Sequence, residues 1–211
     1  MTNAIRKRFR GFLPVVIDVE TGGLEPRHDA LLELAAITIE MDENGNVFPA
    51  EEFHYHILPF KNANLDPKSL AFNKIDPHYP LRFAIEEEDA MKDLCRKVNE
   101  SCKKNRCARA VLVGHNAWFD QHFLNAAMDR SHIHKNPFHR FTSFDTATLS
   151  GLVFGQTVLS KALAAAKISH DSEEAHSALY DAQQTAELFC YIVNQWKLPI
   201  TTEEPPQSPD E

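Results

Sequence analysis

In the stretch Val15-Val16-Ile17-Asp18-Val19-Glu20-Thr21-Gly22-Gly23, two carboxylates interrupt an apolar, β-branched run. Such a run predicts a buried strand over residues 12–20, turned by the threonine and the two glycines. On a strand, Asp18 and Glu20 are two positions apart and therefore share a face. Neighbouring carboxylates repel and raise each other's pKa. The fold must then either expose that face to water or supply a counter-ion. The apolar flanks favour a buried strand whose end opens into a site, where a divalent metal resolves the conflict.

Two later segments carry acids of the same kind. Asp120 ends Gly114-His115-Asn116-Ala117-Trp118-Phe119-Asp120, and Asp181 lies five residues after His176 in His176-Ser177-Ala178-Leu179-Tyr180-Asp181. Taken alone, each has a blander reading. Asp120 falls in the first turn of a helix, where the dipole favours an acid and Asn116 is the expected N-cap. His176 and Asp181 are separated by about 1.4 helical turns, so they do not stack. Taken together, four carboxylates and a histidine match the needs of phosphodiester hydrolysis. Two divalent ions held by about four carboxylates activate water and stabilise charge on the phosphorus oxygens. A neutral histidine takes the proton from that water, provided His176 sits just before regular helix and can swing toward the site.

The rest of the chain arranges these segments into one α/β unit. Strands are expected at residues 12–20, 31–41 and 52–58 as a meander, with a hairpin turn at Asp42-Glu43-Asn44-Gly45. A fourth strand is expected over residues 109–114. Helices are expected at residues 67–73, 85–104, 117–130, 145–154, 157–167 and 175–196. The fold class is α/β: a mixed sheet, antiparallel first and parallel second, with helices on both faces. A length of 211 residues suits a single domain, placed at residues 1–200. Residues 201–211 hold three prolines and four acids and read as a disordered tail.

Composition bounds the setting. No apolar run approaches ~18 residues, so no spanning helix is expected, and nothing after Arg6, Lys7, Arg8 and Arg10 resembles a signal peptide. Cys95, Cys102, Cys107 and Cys190 form no CxxC pair and read as reduced thiols of a cytoplasmic protein. The net charge of −8 argues against a polyanionic partner until its distribution is considered. Cations gather at residues 6–10 and again at Lys92, Arg96, Lys97, Lys103, Lys104, Arg106 and Arg109. These two patches suit local nucleic-acid binding, but on charge alone the second reads first as the wet face of a surface helix.

The three acidic segments closely resemble the exonuclease motifs of the DnaQ-like 3′–5′ exonucleases, and the histidine places the third motif in the DEDDh branch. Further phrases are similar to an RNA-trimming group within that family. They are Arg8-Phe9-Arg10-Gly11-Phe12, residues 71–77, residues 135–139 and residues 155–162. The resemblance runs over residues 8–196. It implies a ribonuclease-H-like fold and two Mg²⁺ ions, with Mn²⁺ as a substitute, held by Asp18, Glu20, Asp120 and Asp181. It implies His176 as general base and a homodimer that trims single-stranded 3′ ends of transfer and ribosomal RNA precursors. Arg8, Arg10, Lys103 and Arg109 of one subunit would guide RNA into the other's site. Phe72, Phe119 and Phe141 would stack on the terminal bases, a contact worth about 1–3 kcal/mol per base. Taken alone, each of those rings reads first as a core phenylalanine. Three positions depart from the pattern: Leu24 where an aromatic is expected, Lys68 where an acid is expected, and His134 where a basic residue is expected. Two other readings stand beside this one. A proofreading or repair DNA exonuclease would use the same carboxylates, since the 2′-OH is read by other groups. A nucleic-acid-binding scaffold subunit would gain nothing from them.

Overall fold

The computed structural model describes residues 4–171 and 177–196. Ten-residue β1 (Phe12–Thr21) lies at the centre of a five-stranded sheet. It pairs antiparallel with β2 (Leu31–Met41), which pairs antiparallel with β3 (Val47–His56). On its other edge β1 runs parallel to β4 (Arg109–Gly114), and β4 parallel to β5 (Phe138–Asp145). Leu13, Val15, Val16 and Ile17 of β1 and the inner residues of β2 are fully buried. Strands apolar on both faces need cover on both faces. α3 (Glu87–Lys104) lies on one side, where Tyr55 Oη donates to Asp93 at 3.0 Å. α7 (Ala178–Gln195) lies on the other, where Gln183 Nε2 reaches Glu52 at 3.1 Å. Parallel pairing requires crossovers. α3 leads into β4, and α4 (Trp118–Arg130) joins β4 to β5.

Two features of this sheet place the site. The pairing of β1 with β4 ends at Val16 opposite Val113, so the end of β1 that carries Asp18 and Glu20 runs on past its parallel neighbour. The cleft so opened receives α4. In addition, Asp18 and Glu20 share the face that α7 covers, because Glu20 aligns with Glu33 on β2, and Glu33 with His56 on β3.

The elements differ from the expected ones where sequence carried little signal. β5 was not expected. Its sequence, Phe138-His139-Arg140-Phe141-Thr142-Ser143-Phe144-Asp145, is that of a half-exposed edge strand without an apolar run, and its pairing shifts register between Ala110 and Leu112. β3 starts five residues early, with Pro49 tolerated because β3 is an edge. Two short elements were also not foreseen: α1 (Ala4–Arg8) and a 3-10 turn at Pro80–Arg82. α2 (Pro67–Asn73) begins as expected, with Asp66 accepting the Lys68 N–H at 3.0 Å. Asn116 does not cap α4. Its φ of 65° places it in a left-handed turn, and its N–H donates to Asp145 Oδ1 at 2.8 Å. The same Asp145 caps α5 (Thr146–Phe154), which is followed by α6 (Leu159–Ala166). Ser177, expected within the last helix, precedes its observed start, while residues 175 and 176 (His176) and the tail at 201–211 lie outside the described residues. All four cysteines are free and buried, and burial pushes each thiol up, to about 11 or 12.

The second basic patch is largely spent within the fold. On α3, Lys92 pairs with Glu88, Arg96 with Asp93 and Glu100, and Lys97 with Asp93. Lys104 reaches across to Glu40 on β2. Such exposed pairs contribute little stability, but they remove those cations from the pool open to a polyanion. Lys103 and Arg109 make no ion pair among the described residues.

Candidate active site

Asp18 and Glu20 from β1 and Asp181 from the first turn of α7 place one carboxylate oxygen each within 4.8 Å of one another. Asp120, from the first turn of α4, falls outside that 4.8 Å group but acts electrostatically on Asp18. It accepts the Val19 N–H, a backbone group left open where β4 has ended. Its Oδ2 lies against Gly114, at 2.9 Å from where a Cβ would stand.

The electrostatics show what the group lacks. Burial raises the Asp18 pKa well above the usual carboxylate range, and Asp120, Asp181, Glu20 and Glu33 push it further. Glu20 is pushed up to about 8, first by burial, then by Asp181 and Glu33. Burial also raises Asp120, against the pull of its backbone hydrogen bonds. No lysine or arginine pairs with Asp18, Glu20 or Asp120 among the described residues. Clustered hard oxygen donors without a protein cation are the donor set that divalent magnesium- or manganese-type ions take. The cluster therefore fits a divalent metal.

The surroundings hold this geometry. Asn73, at the end of α2, donates to Thr21 O at 3.0 Å and hydrogen-bonds the Glu20 side chain. At Gly23 a Cβ would stand 2.0 Å from Asp29 Oδ2, and that buried acid is tied to Asn64 and the Glu25 N–H. The turn after β1 thus tolerates only glycine there. His115 Nε2 donates to Thr157 O at 2.9 Å and links the β4–α4 turn to the loop before α6. Asn73, His115, Asp145 and Glu33 were not singled out from sequence. Only Glu33 offered a signal, an acid in the apolar run Leu31-Leu32-Glu33-Leu34.

Gly114 gives the sharpest local test. An added Cβ would meet Asp120 Oδ2 at 2.9 Å and the backbone of Ala117 at 3.0 Å. Gly114→Ala is expected to displace Asp120 and lower turnover by roughly 10²-fold, as small misplacements do in catalytic sites. Turnover measured beside a thermal melt separates this from unfolding. Unchanged turnover would mean that the position of Asp120 is not critical.

Comparison with known proteins agrees with this architecture. The RNase_T family, described as an exonuclease family, matches residues 15–189. Ribonuclease T of Histophilus somni is 58% identical over 195 residues, covering 92% of this chain and 89% of that protein. Ribonuclease T of Klebsiella pneumoniae is 53% identical over 208 residues, covering 96% and 97%. The chain belongs to the ribonuclease T family of exonucleases. Among solved structures, E. coli exonuclease I in complex with a dT13 oligonucleotide aligns with a TM-score of 0.66 at 17% identity. That alignment covers 86% of this chain, which spans 41% of the exonuclease I chain. It shows a shared ribonuclease-H-like fold.

Within this ribonuclease T family member, the remaining sequence candidates fall in three groups. Phe72 and Phe141 are 63% and 81% exposed, so neither is a core residue. Phe119 is half-buried and packs on Phe123 at 4.9 Å between ring centroids. Trp118, beside Phe119, is exposed. Leu24 is 79% exposed in the turn after β1. Arg8 is committed elsewhere: its guanidinium donates to Val193 O and Trp196 O and ties down the C-terminal end of α7. Arg109 aligns with Phe12 at the start of β1, six residues before Asp18 and so about 20 Å along the strand from it.

Proposed function

We propose that this member of the ribonuclease T family, a 3′–5′ exoribonuclease, trims the 3′ ends of transfer RNA and stable RNA precursors one nucleotide at a time. The observation that carries the reading is the convergence of Asp18, Glu20 and Asp181 within 4.8 Å. Asp18, Glu20, Asp120 and Asp181 would hold two Mg²⁺ ions, with Mn²⁺ as a substitute. Bound there, such ions supply charge stabilisation and lower the pKa of water. His176 takes the proton from the attacking water. Phe72, Phe119 and Phe141 stack on terminal bases in a way that tolerates any base. Leu24 and Lys68, in place of an aromatic and an acid, relax the preference at those bases. The working unit is residues 1–200, and its place is the cytoplasm.

The reading includes a homodimer. Arg109 lies at the opposite end of β1 from the carboxylates, too far to steer RNA into its own site. Arg10, Lys103 and Arg109 would serve the partner's site, with Arg8 contributing through the end of α7 that it anchors. Arg109→Ala is expected to weaken RNA binding and lower the slope of log K against log salt by about one, with the metal site unaffected. A monomer with full activity would count against this arrangement.

The deciding experiment is a product ladder from end-labelled RNA and DNA of equal sequence, single-stranded or with a short 3′ overhang, with and without EDTA. The expected result is stepwise loss of nucleoside 5′-monophosphates from RNA, abolished by EDTA and restored by Mg²⁺. Preference for DNA would favour a proofreading or repair role. Binding without cleavage would favour a scaffold.

A further inference from the structure

The face of the sheet that carries Asp18 and Glu20 continues across β2 and β3 into a second cluster with different donors. Glu33 is cross-strand neighbour to Glu20 on one side and to His56 on the other, and His54 lies two residues from His56 on the same face. One ligand atom from each of Glu33, His54 and His56 lies within 4.8 Å of the others. His54 Nε2 contacts Glu33 Oε1, and His56 Nδ1 stands 3.7 Å from that same oxygen. The two rings are 4.6 Å apart and steeply inclined. The Glu33 side chain is 7% exposed, whereas those of His54 and His56 are 28% and 40% exposed. A buried carboxylate thus forms the floor of a site whose imidazole rim is open to water.

We propose that Glu33, His54 and His56 form a second cation site, selective for zinc-type ions and distinct from the all-carboxylate cluster beside it. Two imidazole nitrogens and one carboxylate oxygen are the donor set of three-ligand zinc sites, which keep a further position open. Magnesium prefers oxygen donors and retains its water. His54 already hydrogen-bonds Glu33 Oε1, whereas His56 Nδ1, at 3.7 Å, stands beyond hydrogen-bond distance and leaves room for an ion between the donors. To bind an ion at about 2.0–2.2 Å from each donor, His54 exchanges its contact with Glu33 for the ion. Arg82, whose charge acts on both Glu33 and His56, opposes the ion and keeps the affinity below that of a site without it. The site is independent of the RNA substrate and of catalysis.

The test is Zn²⁺ binding by calorimetry and Co²⁺ binding by visible absorption, using the full chain. Asp18→Asn/Asp181→Asn disables the carboxylate cluster and is expected to retain one Zn²⁺ equivalent, with a Co²⁺ spectrum of low-coordinate imidazole ligation. Adding His54→Gln and His56→Gln to that background is expected to weaken Zn²⁺ binding by roughly tenfold or more. His56→Gln alone leaves the Glu33–His54 contact in place, so it guards against loss of folding, and it is expected to weaken Zn²⁺ in the same direction. Absence of Zn²⁺ binding in Asp18→Asn/Asp181→Asn would overturn the proposal. So would Zn²⁺ affinity unchanged by His56→Gln in that background.

Discussion

Asp18→Asn is expected to reduce RNA hydrolysis by about three orders of magnitude or more. Each 1.36 kcal/mol of lost transition-state stabilisation costs tenfold, and a catalytic metal supplies several kcal/mol. Asp18 sits among the other carboxylates, with Asp120, Asp181 and Glu20 all acting on it, so its loss weakens the whole donor set. The same substitution is expected to stabilise the protein after metal removal. A buried carboxylate whose pKa is raised on folding favours the folded state only while protonated. For Glu20, stability present below its ordinary value of 4.5 is lost as pH rises toward about 8. Asp18 shifts in the same direction. EDTA-treated protein should therefore melt at lower temperature as pH climbs through that window, and Asp18→Asn should blunt the fall. Mg²⁺ should raise the melting temperature most at the alkaline end, where it meets carboxylates rather than carboxylic acids. A melting temperature independent of pH and of Mg²⁺ would show that the cluster does not hold a metal.

His176→Ala is expected to lower turnover by roughly 10²–10⁴, with little change in RNA affinity, because a general base acts mainly in the transition state. An unperturbed histidine titrates near ~6.5 and must be neutral to accept a proton. Turnover of the unmodified protein should rise through that region and level off, and the variant should lose this limb. The readout is a pH profile of single-turnover cleavage beside a binding isotherm. Turnover at the level of the unmodified protein would assign His176 a structural role and leave water activation to the metals.

Asp18 and Glu20 were legible as a site because two acids in a buried strand conflict with local physics, and sequence alone displays that conflict. Asp120 had an ordinary local explanation, and only the recurrence of acids across three segments made it and Asp181 candidates. The cations between residues 92 and 109 fit the wet face of a helix, and Lys92, Arg96, Lys97 and Lys104 are in ion pairs within α3 and with β2. Counting charges does not reveal pairing at helical spacing or across the fold. The bonds of Arg8 to Val193 O and Trp196 O at the end of α7 likewise join residues that no local pattern brings together.

By itself, the sequence determined the central apolar strand, the meander, the long helices and the chemical type of the site. These follow from short-range periodicity and from residue types that have few alternatives. Only the tertiary structure decided how the site opens. β1 outruns β4, so that Asp120 can fill the gap and accept the Val19 N–H, and α7 brings Asp181 onto the same face. It also decided β5, whose half-polar sequence gains its structure from pairing with β4. Strand register and sheet order join residues far apart in the chain, and no local pattern records which neighbour a strand will find.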